Sequence, residues 1–141
     1  MSMQLVVFRL SDEEYAIMVD RVREIINYVP VTRLPGAPTY FEGVINVRGK
    51  IVPVVDFAAK MGLPAQEQLG RQIVIVETLN KEVGLTVDAV TEVIQTVPEN
   101  FASVDSAETG IHSLRKVYRF HDRIIILLDI AQLLSGTEVA V

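Results

Sequence analysis

Apolar residues fall in short runs separated by tight polar breaks, the spacing of strands joined by turns rather than of long helices. Gln4–Leu10 and Tyr15–Val19 are rich in β-branched and aromatic residues, and residues 11–14 between them read as a turn, which makes a hairpin. A second hairpin joins Val44–Val47 to Ile51–Val55 across Arg48, Gly49 and Lys50, where Gly49 is the structural turn residue. Pro53 lies inside the second of these strands and has no N–H to give, so that strand should be an edge there or carry a bulge. Asp56 is expected to cap a short helix, Phe57–Met61, ended by Gly62 and Pro64. Farther along, Ile73–Glu77 pairs with Val83–Val87, Val117–Phe120 pairs with Ile124–Leu128, and Asp129 caps a helix running to about Leu134. Arg21–Ile26 and Ala89–Ile94 suit either a helical turn or a strand. Pro98–Gly110 is the longest loop expected, and the place where mobility is expected.

The pattern occurs twice. Residues 4–30 align without a gap to residues 72–98, with identities that include Val6/Val74, Glu14/Glu82, Asp20/Asp88, Glu24/Glu92 and Pro30/Pro98. Residues 39–63 align to 112–136, where Val44/Val117, Ile51/Ile124, Asp56/Asp129 and Ala58/Ala131 coincide. An internal repeat of about 4–63 and 72–136 therefore carries one plan in one order. Each half would bury too little surface to be stable alone, so the two are expected to share a core. Many short strands in two copies predict an all-β fold with short helices, built as small barrels or a sandwich.

Composition narrows the function. Of 141 residues, 50% are hydrophobic and 22% charged, which excludes intrinsic disorder. The net charge of −5 disfavours a nucleic-acid binder, which needs a positive surface to displace counterions. The absence of cysteine removes disulfides and thiol chemistry and fits a reducing compartment. No apolar run is long enough for a signal peptide or a membrane helix, so a soluble cytoplasmic protein without membrane insertion is expected.

Catalytic candidates are thin. Asp56 and Asp129 hold the same repeat position, immediately before a short helix, and capping explains both at once. Asp20 and Asp88 read as turn residues. His112 and His121 are too few for a zinc site, Ser113 and Ser135 lack a nucleophile elbow, and no phosphate-binding glycine loop occurs. No enzyme activity, metal or cofactor is expected. The remaining feature is Arg48 at a tight turn, either a solvated turn residue or the partner of Glu24. In the second copy Glu92 persists while Arg48 becomes His121, so an ion pair needing a guanidinium is expected to be lost there.

Residues 13–25 and 31–57 strongly resemble the CheW-like domain of bacterial chemotaxis coupling proteins. The signature G-V-x-N-x-R-G-x-x-x-P-V-x-D stands as Gly43, Val44, Asn46, Arg48, Gly49, Pro53, Val54 and Asp56, and Val87–Ile94 echoes the family's second half. The resemblance runs from about Gln4 to Leu134. It implies two small five-stranded SH3-like or OB-like barrels side by side, with segments exchanged between them. It implies an adaptor coupling the cytoplasmic tips of methyl-accepting chemoreceptors to a histidine kinase whose regulatory domain shares the fold. The chain has no room for a kinase domain, which favours a stand-alone coupling protein; pilus motility and other chemosensory pathways use similar adaptors. The resemblance places Val22, Glu24, Ile25 and Arg48 at a receptor-binding groove, and the Gly43 and Val44 region on a kinase-facing surface.

Overall fold

The structure, a computed structural model, describes residues 2–60, 62, 70–78, 81–103, 116–120 and 122–130. Eleven strands and one short helix follow in order: β1 Met3–Leu10, β2 Glu13–Met18, β3 Val22–Asn27, β4 Phe41–Val47, β5 Lys50–Asp56, α1 Phe57–Lys60, β6 Gln72–Thr78, β7 Lys81–Val87, β8 Ala89–Thr96, β9 Phe101–Ser103, β10 Lys116–Phe120 and β11 Arg123–Leu127. They form two sheets, β3-β6-β7-β5-β4 and β8-β1-β2-β11-β10-β9. The first has the five strands expected. The second has six, because residues 101–103 of the expected long loop pair with β10, after a 3-10 turn at Pro98–Asn100. Residues 104–110, where mobility was expected, lie outside the described residues.

The halves exchange hairpins. The β1–β2 hairpin of the first half joins strands of the second, and β6–β7 of the second half joins β3, β4 and β5 of the first. The repeat holds in register. Ile25 opposes Val74 as Val93 opposes Val6, and the parallel pair Val54/Gly84 recurs as Leu127/Ala16. Even the bulges correspond: the ladder slips between Val22 and Glu24 opposite β6, and between the equivalent Val90 and Glu92 opposite β1. Both segments left open between helix and strand are therefore bulged strands, the first preceded by a 3-10 turn at Val19–Arg21.

The exchanged hairpins are buried on both faces. On β1, Leu5 and Val7 pack inside their own sheet with Ala16, Tyr118 and Ile125, while Val6, Phe8 and Leu10 face the seam between sheets. On β6, Ile73 and Ile75 pack inward with Ile45, Val52 and Val54, while Val74 and Val76 face the same seam. This explains the unbroken apolar runs of these strands, since alternation is lost when neither face meets water. The seam is the largest core, and the rings of Phe8, Tyr15 and Phe57 meet in it at centroid distances of 5.6–6.2 Å. Burial pushes the Tyr15 phenol up to about 12, with Glu13 adding to the effect.

Two local devices shape the first sheet. Pro53 opposes Val44 on β4, but Val44 exchanges both backbone hydrogen bonds, each 2.9 Å, with Thr32 instead. The ladder from β5 to β7 begins only at Val54, so β5 has no neighbour on that side at Pro53, although it is central beyond it. Gly43 is buried beneath the Thr32 backbone at φ 151°, and a Cβ there would collide with the Thr32 carbonyl oxygen. Asp56 Oδ1 accepts the Ala59 N–H at 3.2 Å, an N-cap on α1. Of the helix expected after Asp129, Ile130 is described and helical, and the remainder lies outside the described residues.

Gly43→Ala is expected to lower stability by about 2 kcal/mol or more through the clash and the positive φ, read as a fall in the denaturant midpoint. Asp56→Ala is expected to cost about 1 kcal/mol in the same assay.

Candidate functional site

The turn between β4 and β5 has two residues in its loop, and both have positive φ: Arg48 at 51° and Gly49 at 84°. That is the type I′ geometry whose twist suits a hairpin. Gly49 adopts it freely. Arg48 does not, because its Cβ crowds the following carbonyl, at about 1–2 kcal/mol for an L-residue. Asn46 Oδ1 accepts the Gly49 N–H at 2.9 Å and pins the turn from below. The result aims an otherwise exposed arginine across the sheet end at β3.

There Arg48 meets Glu24 in a forked pair, Nη1 to Oε1 at 2.7 Å and Nη2 to Oε2 at 3.2 Å. Such bidentate pairing fixes direction as well as distance. The Arg48 side chain is 78% exposed, so the pair adds little stability of its own. It lines an open cleft of about 270 Å³ together with Val22, Arg23, Val47, Lys50 and Glu82. Of the expected groove residues, Val22, Glu24 and Arg48 meet at this cleft. Ile25 does not line it; it alternates to the other side of β3 and is partly exposed. Gly43 is buried and Val44 half-buried on β4, away from the cleft.

The second sheet carries the equivalent site in a different state. Arg123 Nη2 lies 2.6 Å from both Glu14 Oε1 and Glu92 Oε1, and its Nε donates to Glu14 Oε2 at 3.0 Å. The expected loss of the ion pair in this copy is therefore wrong. Arg123 occupies the repeat position of Lys50, not of Arg48, and reaches Glu92 from two residues farther along the hairpin. The hydrogen bonds from Arg123 hold the Glu14 carboxyl below its ordinary value against a smaller opposing effect of burial. The two glutamates in turn hold the guanidinium charged more firmly, Glu14 most.

Lys50 and Glu82 at the first-sheet cleft, and Arg123 and Glu14 at its second-sheet counterpart, are not singled out from the sequence. The signal was present in the repeat, since Glu14/Glu82 is an identity and Lys50/Arg123 conserves charge. A further network was also missed. The Tyr28 hydroxyl donates to Glu42, Thr86 Oγ1 donates to the other Glu42 oxygen at 2.8 Å, and the Arg71 guanidinium covers the Tyr28 ring at 4.1 Å. It ties β4 to β7 across β5; burial first, and then Glu42, raises the Tyr28 phenol. Among the described residues no group of three or more His, Asp or Glu could hold a metal ion, and no helix is long and apolar enough to cross a membrane.

Two pseudo-symmetric sheets thus share one seam and carry charged clusters at equivalent ends. The CheW-like domain model matches residues 4–138, and the chain belongs to that family. It is 33% identical over 138 residues to a probable chemotaxis protein CheW of Rhizobium etli, covering 96% of this chain and 89% of that protein. The chemotaxis protein CheW of Bacillus subtilis is 33% identical over 132 residues, with 89% and 83% covered. The crystal structure of the scaffolding protein TtCheW from Thermoanaerobacter tengcongensis superposes with a TM-score of 0.87 at 33% identity, covering 95% of this chain and 88% of that one. The protein PilI of Pseudomonas aeruginosa is similar over less, 34% over 86 residues, or 59% of this chain. The fold is thus the two SH3-like β-barrels of this family, and the chain is a chemotaxis scaffold or adaptor.

The Arg123 clamp has a pH signature. Because Glu14 titrates below its ordinary 4.5 when folded, its contribution is complete above that pH and is lost as pH falls through the lowered value. Glu14→Gln is expected to flatten the fall in stability below pH about 4.5, measured by denaturant titration at several pH values.

Proposed function

We propose that this chain couples the cytoplasmic tips of methyl-accepting chemoreceptors to a chemotaxis histidine kinase, by contact and without chemistry of its own. The observation that carries the reading is the Glu24–Arg48 pair, held at an open cleft by a turn that is strained at Arg48. Backbone strain spent on an exposed ion pair of little stabilising value points to recognition rather than folding. Val22, Glu24 and Arg48 form the receptor-facing site, with Ile25 supplying apolar contact beside it.

The kinase regulatory domain, which has the same fold in this reading, docks on the exposed end of one barrel around the Gly43 and Val44 region, where Thr32 covers the outer edge of β4. The chain acts in the cytoplasm and is recruited to membrane-associated receptor arrays through these proteins. It needs no cofactor, and its net charge of −5 gives nucleic acid no electrostatic foothold. Coupling of this kind requires only that the two signalling states of the receptor make different contacts with the scaffold. Flagellar chemotaxis is favoured over pilus motility because the chemotaxis relatives match nearly the whole chain, whereas the pilus relative matches part of it.

Calorimetric titration with a receptor-tip hairpin tests the receptor half. Arg48→Ala is expected to weaken binding by about tenfold or more, with an unchanged melting temperature and unchanged affinity for the kinase regulatory domain. Unchanged affinity for the receptor tip in a folded variant overturns the assignment.

A further inference from the structure

The duplication supplies an internal control for the cleft. At equivalent positions the first sheet carries Glu24, Lys50 and Glu82 where the second carries Glu92, Arg123 and Glu14. In the second sheet the arginine bridges both glutamates within hydrogen-bonding distance, and its side chain is only 34% exposed. In the first sheet Lys50 is 73% exposed and stops 3.8 Å from Glu82. Arg123 spans both glutamates through Nη2 while its Nε adds a second bond to Glu14; the single nitrogen of Lys50 has no such second anchor and makes no hydrogen bond to Glu82. Glu24 is thereby left to Arg48, and the space between the two glutamates stays open.

The open cleft is also under-neutralised on one side. Arg23, Arg48 and Lys50 line it with Glu24 and Glu82, and the third carboxylate near these cations, Glu77 beside Arg23, lies outside the lining. Arg23 approaches Glu82 at 3.7 Å and Glu77 at 3.8 Å, so neither Arg23 nor Lys50 is within hydrogen-bonding distance of Glu82. Both line the open cleft with no hydrogen bond to Glu82, so a further carboxylate entering it would meet two cations. Val22 and Val47 supply apolar walls beside them.

We infer that Lys50 is a specificity-determining residue: it keeps the first-sheet cleft open, and with Arg23 it receives an acidic side chain from the bound partner segment. This rests on the receptor reading above for the identity of that segment. The closed cluster of Arg123 in the second sheet is what the same site becomes with an arginine at this position.

Two substitutions separate openness from charge, each titrated against a receptor-tip hairpin. K50R keeps the charge. Its crystal structure is expected to show the new guanidinium bridging Glu24 and Glu82 with Arg48 released, and receptor-tip affinity is expected to fall about tenfold. K50Q leaves the cleft open but removes a cation; it is expected to bind several-fold more weakly and with a shallower salt dependence. An arginine at this position that leaves the Glu24–Arg48 pair intact, or K50R with wild-type affinity, overturns the role in openness. K50Q with wild-type affinity and salt dependence overturns the acidic-partner assignment. If the wild-type chain ignores the tip while Arg48→Ala folds normally, the receptor reading fails; the K50R structure still decides whether the cleft closes.

Discussion

The seam between the two sheets is the constraint on which everything else depends. Two hairpins, β1–β2 and β6–β7, are each sandwiched between their own barrel interior and the seam. A half-chain of this size cannot bury enough apolar surface by itself. By giving each hairpin to the other half, the chain makes one core that neither barrel can complete alone. Seam residues recur in repeat-equivalent pairs, Val6 with Val74, Tyr15 with Val83, Ile17 with Leu85, Val55 with Leu128 and Phe57 with Ile130. The interface is thus nearly self-complementary, as a symmetric dimer interface would be. The apolar half of the composition fills two small interiors and this seam.

A rigid core frees the surface to diverge. The backbone keeps its register at both charged sites, down to the equivalent bulges, so differences between them come from side chains. One arginine ties two glutamates together in the second barrel. In the first, Arg48 is held in a left-handed turn to reach Glu24, and Lys50 and Arg23 approach Glu82 without hydrogen-bonding to it. The second barrel pairs its charges tightly with one another; the first does so less completely. The asymmetry gives two ends of one backbone plan different charged surfaces.

Much of this was legible in the residues. The gapless repeat foretold the two-fold plan, and turn chemistry located most hairpins, including the one that carries Arg48. The signature around Asn46, Arg48 and Gly49 pointed to the Glu24–Arg48 pair. The failures have local causes. Arg21–Ile26 and Ala89–Ile94 stayed ambiguous because an extra residue at each bulge breaks the alternation that marks a strand. Phe101–Ser103 was read as loop because three residues carry too little pattern to announce a strand. Arg123 was overlooked because its role follows from reach across the hairpin, which position-by-position comparison with Arg48 does not capture.

If the exchanged hairpins hold both barrels as one body, the barrels cannot open separately. Native-state hydrogen exchange on the folded chain measures this directly. The slowest amides of β1 and β2 in one sheet and of β6 and β7 in the other should exchange through a single global opening, with one free energy and one dependence on denaturant. Two sets of free energies, with the β6–β7 amides of one sheet released while β1–β2 of the other stay protected, would contradict the account.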